Sequence, residues 1–420
     1  MTGRLDQVRA KRLGPAFDLL AGYGPGGCYM ERAGIGVAGV AFPGTQPWTM
    51  RLADVDPPTV DDLFSDLDRG GMDPSAPPPL LFGSVPFDPG LGGGFLIPAR
   101  TIRRDREGET WSIEVMRGGA DLPDPQAVAV TGASGPRSPS EPFSAMQLFG
   151  EPPPESYERA VARAVEQIHA GSLRKVVLAR TLRVEAGRSL DPTQLLRRLR
   201  AVEPECYVFA MDLDQGRTIV GASPELLVSR SGLEVRANPL AGSAPRAGDP
   251  DLDRANAEAL GSSAKDRQEH AIVVEAVFRA LRPLCDDLRH DPEPTLLATA
   301  NVWHLSTRFR GTLKDPTVSS LDLVRALHPT PAVCGDPREE AMQLIRDLEP
   351  VARGHYAGAV GWMDANGDGV WALALRCAEL YGETARLFAG AGIVADSEPE
   401  RELDETERKF RAFLDSLRWG

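Results

Sequence analysis

At 420 residues, with 42% hydrophobic and 25% charged side chains, the chain has the make-up of a globular protein able to bury a sizeable core. Its net charge of −13 argues against nucleic acid or an anionic membrane as main partner, since both select basic faces. No stretch approaches the roughly 20 apolar residues of a membrane span, and the amino terminus lacks the apolar run of a signal peptide. Five scattered cysteines without CxxC spacing read as reduced thiols, so the expectation is a cytoplasmic protein without a disulfide or zinc framework.

Taken in order, the first third is rich in Gly and Pro, with short strand-like pieces such as IGVAGVAF and TWSIEVM. GLGGGF, around Gly92, leads into another strand-like piece and no helix, so it is not a dinucleotide loop. From 117 to 155 Pro, Ser and Gly crowd the chain, which predicts a surface connection. Ser156 is a candidate cap for a helix whose Val161, Val165 and Ile168 share a face and which Gly171 ends. KVVLARTLRVEA reads as a strand, and TIVGASPELLVSRSGLEVRANPLAGSAPR as strands around a turn at Arg230, Ser231 and Gly232.

The pattern then predicts one long helix over 253–281, stopping before Pro283. TLLATANVWHLSTRFRGTL is a further strand region. Asp336, Pro337 and Glu339 resemble a helix start: a cap, a proline in the first turn and an acid. YAGAVGWMDANGDGVWALALRCAEL is a hairpin. Its DANGDG matches half of an EF-hand loop but has Leu375 where that loop needs Glu, so it is a turn. A last helix runs to about Leu417. Paired strands with helices between them predict an α+β architecture of antiparallel sheets flanked by helices.

Several residues carry chemistry. Asp266 and Glu269 lie three apart on a predicted helix, and Glu402 and Glu405 repeat that spacing on the last one. Two such pairs could clamp one hard cation such as Mg²⁺, although spacing alone favours two solvated acidic faces. Gly390 and Gly392 let backbone N–H groups approach a ligand, or simply let strands pack tightly. In WALALRCAEL, alternation places Arg376 on a strand face with Ala372, Ala374 and Ala378. A half-buried arginine there needs an anion, either a structural carboxylate or a substrate. Lys175 on its strand is an edge lysine or, if buried, a candidate base. Glu225 after Pro224 is a turn acid or, if buried, a carboxyl kept protonated. His304 and His328 lack zinc spacing, and no GxSxG suggests a serine hydrolase.

Set in order, PLLFGSVPFDP, KVVLAR, GASPELL, NPLAGSAPR, SSAKDRQEH, VWHLST, LHPTPAVCG, YAGAVGW, LALRCAEL and AGAGIVADSEPERELDETERK resemble the chorismate-utilising enzymes. These include anthranilate, aminodeoxychorismate, salicylate and isochorismate synthases. The likeness covers about residues 80 to 409 and is nearest to siderophore-type isochorismate synthases; the first 75 residues match weakly. It implies one α+β domain over 1–420 in two lobes with the site between sheets, residues 117–155 being a loop. It also implies chorismate as substrate and Mg²⁺ as cofactor. No amidotransferase subunit is implied, and a monomer is favoured.

On the matching positions, Lys175 would activate the water that adds at ring C2, and Glu225 would protonate the C4 hydroxyl as it leaves. Glu269 and Glu402, with Asp266 and Glu405, match the metal carboxylates. Tyr356 and Arg376 match residues that hold the enolpyruvyl carboxylate. Lys409, His304, Gly242, Ser243, Gly390 and Gly392 match other substrate contacts. Ser243 stands where salicylate and anthranilate synthases tend to have threonine, which favours isochorismate as end product. Salicylate synthase, which goes on to eliminate pyruvate, is the alternative, and an ammonia-using synthase comes after it.

Overall fold

The computed structural model describes residues 7–24, 26–42, 48–52, 64, 73–116 and 146–418. Two large antiparallel sheets dominate them. The larger begins at Gln7–Leu13 and passes through Thr110–Met116, Arg100–Arg104, Ile35–Val40, Cys28–Arg32, Tyr207–Asp212 and Arg217–Ser223. It continues through Cys377–Tyr381 and Thr384–Ile393 to Lys175–Glu185, against which both Gly335–Asp336 and Gln147–Glu151 pair. The second sheet orders Cys285–His290, Phe309–Leu313, Glu234–Asn238, Leu226–Ser231, Gly369–Leu373, Ala359–Asp364, Leu80–Val85, Gly92–Leu96 and Trp48–Arg51. A small third sheet joins Leu240–Pro245, Val302–Ser306 and Thr295–Ala298.

Side-chain alternation explains why the larger sheet is buried on both faces. Phe209 and Ile219 point into one apolar cluster shared with Phe82, Phe95 and Trp371 of the second sheet. Their neighbours Val208 and Val220 point the other way, into a cluster closed by Leu195, Leu196 and Leu199 of the helix Pro192–Val202. Phe410, Phe413 and Leu414 of the carboxy-terminal helix, Pro399–Arg418, complete that second layer. The expected α+β fold of antiparallel sheets flanked by helices is therefore what the chain adopts.

Two of the crossings between the large sheets matter for the site. Arg217–Ser223 passes through Pro224 and Glu225 into Leu226–Ser231, and Gly369–Leu373 returns through residues 374–376 to Cys377–Tyr381. The crossings run side by side, with the Leu373 amide donating to the Glu225 carbonyl at 3.2 Å and the Ala222 amide to that of Arg376 at 3.1 Å.

Several local expectations need correction. Arg376 is not on a strand face with alternating alanines: it turns the corner between sheets with φ +47°, which is why strand periodicity misplaces it. The helix over 253–281 is two helices, Pro250–Ser262 and Ala264–Leu281. Ser263 separates them in extended conformation, its hydroxyl accepting from the Asp266 amide as a new N-cap. Asp336 caps nothing. It pairs with Lys175 in the sheet and binds the Arg174 guanidinium, so the helix Arg338–Leu348 starts after Pro337 with no side-chain cap.

Ser156 lies inside a helix, Pro154–His169, that begins at Pro154; Gly171, at φ +81°, does follow its end. Residues 117–145 of the expected loop lie outside the described residues, and Gln147–Glu151 is a strand paired with Lys175–Glu185. DANGDG is a turn, its Asp364 carboxylate accepting from the amides of Asn366 and Asp368. All five cysteines are free and buried.

Candidate active site

A cleft opens where the small sheet, the larger sheet and two helix ends meet. Every residue of the expected site lines it except Lys175. Lys175 is fully buried at the start of its strand, one side chain behind the wall, with its Nζ 2.9 Å from Glu269 Oε1. That contact is off the direction of a hydrogen bond, so the ammonium keeps unused donors. The bare strand Thr384–Ile393 makes room for the pair. A Cβ on Gly392 would stand 2.2 Å from Glu269 Oε1 and 3.1 Å from Lys175 Cε, so this position tolerates no side chain without displacing them.

The four metal-candidate acids come from two helices that the fold brings together. Asp266 and Glu269 occupy the first turns of Ala264–Leu281, while Glu402 and Glu405 occupy those of Pro399–Arg418. Glu402 is buried and accepts from Lys265 Nζ at 2.8 Å. Glu405 accepts from Lys409 Nζ at 2.7 Å, and Lys409 also donates to the Gly390 carbonyl at 2.7 Å. Burial raises the carboxyls of Asp266 and Glu402; the charge of Glu269 adds to this at the first and that of Glu405 at the second. Burial also acts upward on Glu405, but Lys409 and Lys265 outweigh it and hold that carboxyl below its ordinary range.

Among the described residues, no three His, Cys, Asp or Glu side chains stand close enough to form a ready metal cage. Lysines neutralise the acids instead. The donor set still fits a hard divalent ion: it is all carboxylate oxygen, it lines a cleft, and its members repel one another.

Across the cleft, Glu225 sits on the first crossing, buried. Burial pushes its carboxyl up to about 8, against the pull of a hydrogen bond from the Leu240 backbone and of the Lys175 charge. At neutral pH this group is a carboxylic acid, able to donate a proton. Arg376, on the second crossing, donates from Nη2 to His304 Nε2 at 2.6 Å. The other imidazole nitrogen bonds the Gly242 backbone, so Nε2 is the acceptor of a neutral ring, and burial and the Arg376 charge keep it neutral. Arg376 Nη1 is buried without a hydrogen-bond partner among the described residues, its nearest carboxylate being Glu203 at 3.7 Å. A buried guanidinium with an unmade hydrogen bond at a cleft can take up an anionic group such as a carboxylate.

Beside it, Tyr356 stacks flat on Phe388, with ring centroids 5.0 Å apart, and burial raises its phenol so that it stays a neutral donor. Gly242 holds φ +76°, and a Cβ there would stand 3.0 Å from Asp266 Cβ. Ser243 pairs with His304 across the small sheet and bonds Glu405. His328 lies elsewhere, its Nε2 against the Pro86 carbonyl at 3.0 Å.

Sequence reasoning missed Lys265, Ser397, which bonds Glu402, and the apolar wall of Phe388, Phe410 and Phe413. Lys265 adjoins Asp266 in sequence, and immediate neighbours do not share a helix face. Its local signals are the i, i+4 spacing from Glu269 and a cation in the first turn of a helix, the wrong sign for the helix dipole.

The chorismate binding enzyme family model matches residues 119–418, and the chain belongs to that family. Within it, the chain is 47% identical over 272 residues to the isochorismate synthase DhbC of Bacillus subtilis, covering 63% of this chain and 68% of that protein. It is 39% identical over 339 residues to the vibriobactin-specific isochorismate synthase of Vibrio cholerae, covering 80% of this chain and 78% of the relative. The crystal structure of DhbC from Bacillus anthracis matches at TM-score 0.80 and 36% identity, covering 96% of this chain and 99% of that one.

Proposed function

We propose that this protein is an isochorismate synthase, adding water at C2 of chorismate while the C4 hydroxyl departs, for siderophore or other secondary-metabolite biosynthesis. Relatives named for that activity cover most of the chain, which supports the reaction. The observation that carries the chemistry is Glu225: a buried carboxyl held protonated at neutral pH, within electrostatic reach of a buried lysine. Lys175, as the neutral amine, takes a proton from the incoming water, and Glu225 gives one to the leaving hydroxyl; passage of a proton from the Lys175 ammonium back to the Glu225 carboxylate resets the pair, so the protons balance over the turnover. Each such transfer is typically worth about 10²–10⁴ in rate.

Arg376 and Tyr356 hold the enolpyruvyl carboxylate, and Lys409, His304, Ser243 and the backbone at Gly242, Gly390 and Gly392 position the rest. Mg²⁺ held by Glu269 and Glu402, with Asp266 and Glu405, would supply positive charge for the ring carboxylate. The same reading makes the enzyme cytoplasmic and monomeric, one catalytic domain over 1–420 that works without an amidotransferase subunit. No described helix is long and apolar enough to cross a membrane.

The test is product analysis with purified protein, chorismate and Mg²⁺. Isochorismate at equilibrium with chorismate, without pyruvate, is the expected outcome. Stoichiometric pyruvate and salicylate would assign the chain to salicylate synthases instead. Two variants probe the walls of the cleft. Arg376→Ala should raise KM for chorismate by about tenfold or more, the typical worth of a charge-assisted hydrogen bond being about 1.5–3 kcal/mol; an unchanged KM would remove Arg376 from the substrate contacts. Glu269→Gln should lose activity together with its Mg²⁺ dependence, and metal-independent turnover in that variant would count against the clamp.

A further inference from the structure

The least explained charge in the cleft is Lys265. It stands in the first turn of the helix Ala264–Leu281, where a cation opposes the helix dipole. Its side chain is one-third exposed, yet it reaches inward to the buried Glu402 at 2.8 Å, with Glu269 and Glu405 adding attraction at longer range. It thus occupies the focus of the very acids assigned to the cation. Lys265 also lines a second cavity, on the far side of the same helix turn, together with Arg174, Glu275 and Asp396. The two cavities share this one ammonium.

We infer that Lys265 is an internal stand-in for the metal: it neutralises the acid cluster while the cation site is empty and competes with Mg²⁺ for Glu402. The inference rests on the reading of the cleft given above. When a divalent ion takes Glu402, the ammonium no longer has its partner and moves towards the second cavity, where Asp396 receives it beside Glu275, a carboxylate already paired with Arg174 and Arg279. No bond is made or broken in this exchange: one cation replaces another at a carboxylate. Lys265 is a positioning residue in this scheme, because it acts through Glu402 and not on the substrate. It keeps like-charged acids from splaying apart before the metal arrives, and it sets the Mg²⁺ concentration at which the enzyme fills.

The experiment compares wild type, Lys265→Met and Lys265→Arg as full chains. MgCl₂ titrations at fixed ionic strength are followed by melting temperature and by calorimetry. Methionine keeps the apolar stem and removes the charge. The metal-free Lys265→Met protein should melt below wild type, and its apparent Kd for Mg²⁺ should be at least about tenfold lower, equivalent to on the order of 1.4 kcal/mol. Lys265→Arg, which keeps the charge, should bind Mg²⁺ no more tightly than wild type. A response in Lys265→Met with none in wild type would support the competition even more strongly. If wild type responds to Mg²⁺ and Lys265→Met responds equally or less, the inference is overturned while the metal site stands. If neither wild type nor Lys265→Met responds, the Mg²⁺ reading itself fails.

Discussion

Lys175→Ala is expected to lose turnover by at least about 10²–10⁴-fold, the range a positioned base contributes, while the chain still folds. The two halves of that expectation rest on different features. Lys175 has no exposed surface and packs at the head of a strand bonded on both sides, to Gly335–Asp336 and to Thr384–Ile393. Removing its stem leaves a cavity, and large-to-small changes in cores commonly cost about 2–5 kcal/mol. The backbone pairing does not depend on the side chain, however, and the Glu269 carboxylate left behind borders a cleft that water can enter. Lys175→Met separates the effects, since it refills the cavity without restoring the amine. Both variants should show cooperative melting, Met closer to wild type, and both should be inactive. Full turnover in either would remove Lys175 from the role of base.

The candidate residues of this site were legible in the sequence as local signals, but their assembly into one site came from the order of motifs shared with the chorismate-utilising enzymes, since spacing alone favours solvated acidic faces. Spacing of three residues placed Asp266 with Glu269 and Glu402 with Glu405, and a glycine-spaced strand pointed to a close approach at Gly392. Other features follow from tertiary crossings that no periodicity encodes. Arg376 reads as a strand residue because the sequence on both sides is strand, yet a corner with φ +47° lies between two different sheets. Ser263 divides one apparently continuous helical pattern because its hydroxyl finds the Asp266 amide, a local bond that competes with helix continuation. Asp336 has the chemistry of a cap but finds a stronger partner in Arg174. Lys265 escaped notice because its meaning lies in Glu402, 137 residues away.

Glu225→Gln should be nearly as damaging to catalysis as loss of Lys175, and its pH behaviour is diagnostic. The wild-type carboxyl titrates at about 8 in the folded state, against an ordinary value of 4.5. As a general acid it must carry its proton, so kcat should hold below about pH 8 and fall above it. Glutamine keeps the shape but has no acidic proton to give: kcat drops by about 10²–10⁴-fold, and the alkaline limb due to this group disappears.

Stability gives a second readout, independent of turnover. Between pH 4.5 and about 8 the folded protein holds a proton at Glu225 that the unfolded chain has released. Folding then takes up a proton, so wild-type stability is fully present below 4.5, declines through this window and levels off above about 8. The decline attributable to this one buried group should be on the order of a few kcal/mol. The glutamine side chain of the Glu225→Gln variant never ionises and lacks that slope, so denaturant unfolding should find the variant gaining on wild type between about pH 5 and about pH 9. Parallel stability curves for the two proteins would mean that Glu225 is ionised in the fold, and the departing hydroxyl would then need its proton from another group.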